Sequence, residues 1–340
     1  MRQVWIPKAG PPEVLEVREA PDPTPATGEM RVRVEATGVN FADIMGRLGI
    51  YPDLPKMPVV VGYEVAGRVD AVGDGVERAW VGRDVLAATR FGGYADVVCV
   101  PAIQVFERPP GMSARNGAAL PVNYLTAYQM VEIMGGLRAG QTVLVHSAGG
   151  GVGIAATQLA KRLGATVIGT ASRAKHERLR ALGVDHLIDY RSEDFERRAR
   201  ELTGGGGVDL VLDAVGGDSF KKSFRTLAPT GRLAMFGISS AATGKQRSLV
   251  AFARTALAMP WLQFNPLALI GQNKGVFGVN LLHLWGELAR IRSWMDALLG
   301  YYRDGAIKPL VAEVFPFDRA AAAHHYIQDR QNVGKVLLVP

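Results

Sequence analysis

The sequence predicts an α/β chain of two domains, a doubly wound parallel sheet in the middle of the chain and a β-rich domain built around it. Three observations carry this expectation. From Val4 to about Val122, short β-type runs such as residues 31–36 and 59–61 are punctuated by Gly and Pro. Between about Asn123 and Asn280 the pattern changes to strand, helix, strand, helix, the alternation that builds a parallel sheet. Strand-like segments then return at the end of the chain with no sheet of their own nearby. A length of 340 residues suits two domains that each bury a core, and 48% hydrophobic with 21% charged residues is the balance of a packed globular protein.

In the middle region, Thr142-Val143-Leu144-Val145 is the first clear buried strand and residues 154–163 are the helix after it. A second cycle follows, with a strand at 166–169 and a helix at 175–182, and further strands are expected at 186–188, 208–212 and 232–236. The last segment reads as an amphipathic helix near 284–302, a strand at 309–314, a short Ala-rich helix from Asp318 and a final strand at 335–339. The terminal strands need a sheet, and the N-terminal region supplies one. The expected division is therefore residues 1–122 with 284–340 as one discontinuous domain, and 123–283 as the other.

Charge and composition narrow the function classes. Lys and Arg exceed Asp and Glu by 39 to 32, a formal +7 that suits an anionic ligand. There is no basic run of the length a nucleic-acid tail needs, and Arg197-Arg198 sits among Glu193, Asp194, Glu196 and Glu201 as a solvated helix face, so no nucleic-acid partner is expected. Cys99 is the only cysteine, which rules out an intramolecular disulfide, and it reads as a small buried hydrophobe. Residues 1–7 lack the apolar core of a secretory signal, and the expected location is the cytoplasm. The most membrane-like stretch, 249–271, carries Arg254, Gln263 and Asn265 and is broken by Pro260 and Pro266. It reads as a lid or interface segment, with contact at a membrane surface as the alternative.

The motif with most chemical content follows the strand ending at Val145: His146-Ser147-Ala148-Gly149-Gly150-Gly151-Val152-Gly153, then a helix. Read as Ala148-x-Gly150-x-x-Gly153, it is a dinucleotide fingerprint with alanine in place of the first glycine. Small residues let the turn be tight, let the backbone approach a pyrophosphate and let the helix pack close to the strand. The helix N-terminus then offers N–H groups and a positive dipole end to the phosphates. About twenty residues on, where NAD-binding versions place an acid, this chain reads Gly169-Thr170-Ala171-Ser172-Arg173-Ala174-Lys175-His176. Hydroxyl and cationic groups there suit a 2′-phosphate, so NADP(H) is favoured.

Further blocks, Gly38-Val39-Asn40-Phe41-Ala42-Asp43, Gly62-Tyr63-Glu64-Val65-Ala66-Gly67 and Gly334-Lys335-Val336-Leu337-Leu338, combine with the fingerprint. In this order the chain resembles the zinc-independent quinone oxidoreductases of the medium-chain dehydrogenase/reductase superfamily. Ile307-Lys308-Pro309, Val314-Phe315-Pro316-Phe317 and Asn332-Val333-Gly334-Lys335 look most like the vesicle amine transport protein homologue branch. The resemblance implies a GroES-like β-rich catalytic domain, a Rossmann domain binding NADPH, and a homodimer formed through the Rossmann domain.

Carried over by motif, the resemblance puts Asn40 and Asp43 beside the nicotinamide, Tyr51 on the substrate side and Thr126 near the cofactor. It assigns Gly150, Gly151 and Val152 to the pyrophosphate turn, Ser172, Arg173 and Lys175 to the 2′-phosphate pocket, and Tyr190 to the adenosine. Phe236, Gly237, Ile238 and Ser239 match the loop at the nicotinamide, and Asn332 and Lys335 the closing C-terminal motif.

Zinc-dependent relatives supply a Cys and a Gly-His-Glu histidine to the metal where this chain has Asn40 and Tyr63, and a lone Cys99 cannot form a four-cysteine structural site. No zinc is therefore expected. The six histidines, His146, His176, His186, His283, His324 and His325, show no metal-binding spacing, and the adjacent pair suits packing or surface roles.

Without a Lewis acid to polarise an alcohol, already electrophilic acceptors are favoured. The expectation is hydride transfer to a quinone, with Asn40 and Tyr51 binding the acceptor carbonyl and Asp43 ordering them; the alternatives are helix capping for Asp43 and loop packing for Tyr51. Two rivals stand beside it: reduction of an α,β-unsaturated carbonyl by the same residues, and a non-catalytic NADPH-responsive protein that contacts lipid or RNA. The apolar stretch holding Phe252, Trp261, Phe264 and Ile270 is the feature that speaks for lipid.

Overall fold

The computed structural model describes residues 1–242, 244, 249–260 and 264–340. Met1–Leu125 and Leu281–Pro340 form one compact unit, and the second is drawn from the chain between them.

The second unit is a six-stranded sheet with every adjacent pair of strands parallel. Across it lie His186–Asp189, Thr166–Ala171, Thr142–Val145, Val208–Asp213, Leu227–Met235 and Gly275–Gly278, which is chain order third, second, first, fourth, fifth, sixth. Such strands are buried on both faces and need continuous apolar runs. Leu144, Ile168, Ile188, Val211 and Leu233 supply them, packed with Phe220, Phe224 and Ala199 in one core. The helix Gly151–Arg162 returns from the first strand, burying Ile154, Ala155, Leu159 and Ala160, and ends on Lys161 and Arg162 where its dipole favours cations. The doubly wound parallel sheet is thus the one expected.

Boundaries differ in instructive places. The first helix starts at Gly151 rather than 154, because the glycines of the turn are its first helical residues. The helix expected at 175–182 divides into a 3-10 turn, Arg173–Lys175, and a helix, His176–Ala181. The strand expected from 232 begins at Leu227: Pro229, Gly231 and the positive φ of Thr230 (67°) disguise its start, and its register with Val208–Asp213 shifts there.

In the first unit, Glu29–Val39 is the spine of a β-sheet flanked by Glu64–Val72, by Val97–Pro101 and by the final strand Lys335–Val339. The final strand runs antiparallel to the spine, pairing Val336 with Val39 and Leu337 with Gly38, and parallel to Val311–Pro316 on its other side. A smaller antiparallel sheet joins Arg2–Ile6 to Glu16–Glu19 and Val59–Val60. One core gathers Val4, Ile6, Val39, Val61, Tyr94, Phe317, Ala323 and Leu338, so residues from both ends of the chain close it. Cys99 is only half-buried on its strand, against the expectation of a fully buried side chain, and burial pushes its thiol up to about 11, which leaves it unreactive.

Among the described residues no helix is long and apolar enough to cross a membrane. The stretch singled out above contains helices Leu249–Ala258 and Pro266–Gln272, on which Val250, Leu257, Leu267 and Ile270 are largely exposed. Trp261 and Gln263 lie outside the described residues, as does the Phe252 side chain.

Leu144 is fully buried at the centre of the parallel sheet. Leu144→Ala should lower apparent stability by about 3 kcal/mol in equilibrium denaturation; an unchanged midpoint would contradict this packing.

Candidate functional site

Reversal of strand order places the loops after Thr142–Val145 and Val208–Asp213 at the switch point of the sheet, where open α/β folds bind ligands beyond the strand ends. The Gly-rich turn leaves the first of these strands. Ser147 takes a left-handed conformation (φ 55°), which costs a non-glycine residue about 1 kcal/mol. The Gly150 amide donates to Ser147 O at 2.8 Å and the Ala148 amide to Thr170 O at 3.1 Å. The amides of Gly151 and Val152, in the first turn of the helix, make no hydrogen bond to the described residues. They are donors suited to a pyrophosphate.

Two contacts explain the composition of the turn. A Cβ on Gly153 would lie 2.6 Å from Ser147 O, so only glycine lets the helix approach the turn. Ala148 stands where the fingerprint has its first glycine, and the room for its methyl comes from the neighbouring strand: a Cβ on Gly169 would lie 2.8 Å from that of Ala148.

Around the end of Thr166–Ala171, Ser172 precedes the 3-10 turn that carries Arg173 and Lys175, with Arg173 exposed and Ser172 and Lys175 half-buried. Tyr190 follows the strand His186–Asp189 and is exposed. Asp189 is the strand partner of Ala171, and its carboxylate accepts from the Arg191 amide and the Ser192 hydroxyl at 3.1 Å each. Phe236, Gly237, Ile238 and Ser239 follow the fifth strand and lie on the loop after the fourth: Phe236 N donates to Asp213 O (3.1 Å) and Ser239 N to Ala214 O (2.9 Å). Thr126 is buried within the helix Pro121–Tyr128.

The first unit holds a second concentration of polar groups. Asn40 follows the spine strand and caps the helix Phe41–Arg47, and the pairing of the final strand brings Lys335 across to it. The buried Lys335 ammonium donates to Asn40 Oδ1 at 2.6 Å and pairs with Glu64. Glu64 also accepts from Asn40 Nδ2 (3.1 Å) and from the Val122 amide (2.8 Å). Gly38 has no side chain because a Cβ there would collide with both Glu64 and Lys335. Removing one partner of such a pair leaves a buried charge, at a cost of about 3–5 kcal/mol.

Asp43 lies in the same cluster, fully buried. Its carboxyl accepts from the Asn40 amide (2.7 Å), the Gly62 amide (3.0 Å) and the Tyr94 hydroxyl (3.1 Å). These donors and Lys335 favour the anion, yet burial outweighs them and pushes its pKa up to about 7. Tyr94 OH lies 3.3 Å from His324 Nε2, and burial, with Arg47 adding to it, holds His324 well below the usual imidazole range. Tyr51 stands edge-on to Tyr63 at 6.5 Å between ring centres, and Tyr63 packs on Phe91 at 5.3 Å.

The structure therefore brings Asn40, Asp43 and Lys335 together, and separately Gly150, Gly151, Val152, Ser172, Arg173 and Lys175. Asn332 donates to Gly334 O at 3.0 Å and shapes the bend before the final strand. Lys335 faces Glu64 and Asn40, and its ammonium is engaged with both. Tyr94, Asp213 and Ser223 carry no signal in the sequence; Glu64 lies inside the Gly62–Gly67 motif, and His324 reads there as one of a packing or surface pair.

No set of three His, Cys, Asp or Glu side chains placed to hold a metal occurs among the described residues. Asn40 and Glu64, the ligand-type side chains gathered beside Asp43, already hold the Lys335 ammonium. A divalent cation there would meet a fixed positive charge, so this cluster does not fit zinc.

Because Asp43 is raised in the folded state, folding takes up protons between the ordinary carboxylate range and about pH 7. Its contribution to stability is complete below about pH 4 and is lost as pH rises through about 7. Urea midpoints should therefore fall between about pH 5 and pH 8 by more in the native chain than in Asp43→Asn; equal falls would show that Asp43 titrates normally.

Residues 26–110 match the alcohol dehydrogenase GroES-like domain, and residues 182–338 the zinc-binding dehydrogenase domain. The chain is 43% identical over 329 residues to the synaptic vesicle membrane protein VAT-1 homolog of Mus musculus, covering 96% of this chain and 80% of that one. Among solved structures it resembles Escherichia coli quinone oxidoreductase complexed with NADPH (31% identity, TM-score 0.87, all of both chains). It also resembles CurK enoyl reductase (28% identity, TM-score 0.84, 99% of this chain and 98% of that one). The architecture, the turn and these matches agree: the chain belongs to the medium-chain dehydrogenase/reductase superfamily, with the VAT-1 homologues among its relatives.

Proposed function

We propose that this chain is an NADPH-dependent oxidoreductase, working without zinc, that reduces a quinone. The observation that carries the reading is the turn at the switch point, whose Gly151 and Val152 amides have no acceptor among the described residues and are followed by hydroxyl and cationic side chains in place of an acid. The similarity to a quinone oxidoreductase solved with NADPH supports it.

In this reading Gly150, Gly151 and Val152 bind the pyrophosphate through backbone donors, and Ser172, Arg173 and Lys175 receive the 2′-phosphate. Tyr190 flanks the adenosine, and Thr126 with Phe236, Gly237, Ile238 and Ser239 lines the nicotinamide side. NADPH, when bound, supplies the hydride. The protein orients the acceptor, and solvent supplies the proton. Both polar atoms of the Asn40 side-chain amide are bonded to Glu64 and Lys335, so Asn40 is held rigid, and Tyr51 is the proposed donor to an acceptor carbonyl. Asp43 acts through Asn40 and Gly62 and Asn332 through the bend at Gly334, both as positioning residues.

A second reading, reduction of an α,β-unsaturated carbonyl, is favoured by the likeness to an enoyl reductase and uses the same residues. A cytoplasmic location and a homodimer through the parallel-sheet unit belong to the proposal; the dimer is supported by Gly275–Gly278, the strand at the end of that sheet. The exposed Leu257 and Leu267 support either that interface or contact with a lipid surface.

Loss of NADPH followed at the nicotinamide absorbance, with chelator present and a panel of quinones and enones, tests the assignment. Quinone-dependent, chelator-resistant oxidation is expected; turnover with enones alone would move the function to the second reading, and chelator inhibition would reject the zinc-free mechanism. Tyr51→Phe should lower turnover by about fivefold, and an unchanged rate would remove Tyr51 from the mechanism.

A further inference from the structure

Beneath the Gly-rich turn lies a chain of buried side chains that the proposed chemistry does not use. Four donors converge on the Asp213 carboxylate at the end of the fourth strand. The Val215 and Gly216 amides reach Oδ1 at 2.7 and 3.3 Å, and the Ser219 and Ser223 hydroxyls each reach Oδ2 at 2.7 Å. Ser223 has one proton, and it goes to Asp213, so its oxygen accepts from His146 Nε2, 3.0 Å away. His146 is buried against Phe195, and burial lowers its pKa, so the ring is neutral and its one proton is on Nε2. Nδ1 is then an acceptor, and the Thr170 hydroxyl, at 3.2 Å, donates to it. That leaves the Thr170 oxygen to accept from the backbone N–H of Ser147, at 3.3 Å.

Every proton in this row has one allowed direction, set at its far end by a carboxylate. The row runs from the fourth strand, across the switch point, to the one residue of the turn held at positive φ.

We propose that Asp213, Ser223, His146 and Thr170 are positioning residues for the dinucleotide. They anchor Ser147 by its N–H, while its carbonyl, in the next peptide unit, accepts from the Gly150 amide, and so the turn aims the Gly151 and Val152 amides at the pyrophosphate. This rests on the reading of the turn as a dinucleotide site. Because the pyrophosphate is common to both cofactors, breaking the row weakens NADPH and NADH by the same factor and leaves the chemical step alone.

Thr170→Val keeps the shape and removes the hydroxyl, Thr170→Ser keeps the hydroxyl, and Ser223→Ala cuts the row on its far side. Fluorescence titration should show both dinucleotides bound about tenfold more weakly by Thr170→Val and Ser223→Ala, and within about twofold of the native affinity by Thr170→Ser. The turnover number at saturating cofactor should stay within about twofold in all three, so that KM moves and kcat does not. Native affinity in folded Thr170→Val, or equal weakening in Thr170→Ser, would overturn the proposal.

If the native protein binds no dinucleotide, the proposed function fails, and the row is judged on the protein alone by amide hydrogen exchange at Ser147. Faster exchange in Thr170→Val but not in Thr170→Ser supports it, and equal protection overturns it.

Discussion

The reversal of strand order beside Thr142–Val145 is the constraint on which the parallel-sheet unit depends. The second and third strands lie to one side of the first, and the fourth, fifth and sixth to the other, so the connections leaving the first and fourth strands diverge. Open sheets of this order bind ligands between such connections, where backbone groups beyond the strand ends lose their ladder partners. His146 N still donates to Leu212 O at 3.0 Å, one residue past the first strand, and beyond it the turn must find other acceptors. Thr170, Ser147 and Gly150 supply them by side-chain and local bonds, which leaves the amides at the helix start for a ligand.

The first unit solves a different problem, closing a sheet with strands from both ends of the chain. Hydrophobic pairing of Val336 and Leu338 with the core around Val39 holds the last strand, while register is marked by a single charged contact. A slip of the final strand by one residue would carry Lys335 away from Glu64 and Asn40 and leave charges buried without partners. The same cation sits between Asn40 and Glu64, so one lysine both fixes the fold and disfavours a metal there.

How much of this was legible in sequence follows from the range of each interaction. Thr142–Val145 and the fingerprint were legible because the apolar run, the glycines and the helix are consecutive. The compensation between Ala148 and Gly169 was not, since it depends on how two strands align. Nor was the pairing of Lys335 with Glu64, although both residues sat in quoted motifs, because chemistry at a distance leaves no periodicity. His146 stood inside the fingerprint, yet its role depends on Ser223, from the helix after the fourth strand, and on Asp213 at that strand's end. The start of the fifth strand was hidden by Pro229 and Gly231, which signal a turn in sequence and here fall within an irregular edge of the strand.

The central claim is that this sheet carries an NADPH site whose selectivity comes from the residues after Thr166–Ala171. Titration calorimetry of NADPH and NADH against the native chain and against Arg173→Ala with Lys175→Ala measures it most directly. The account predicts that the native chain prefers NADPH by at least about tenfold and that the double variant loses the preference while still binding NADH as before. Equal affinity of the native chain for the two dinucleotides, or a preference that survives the loss of both cations, would contradict it.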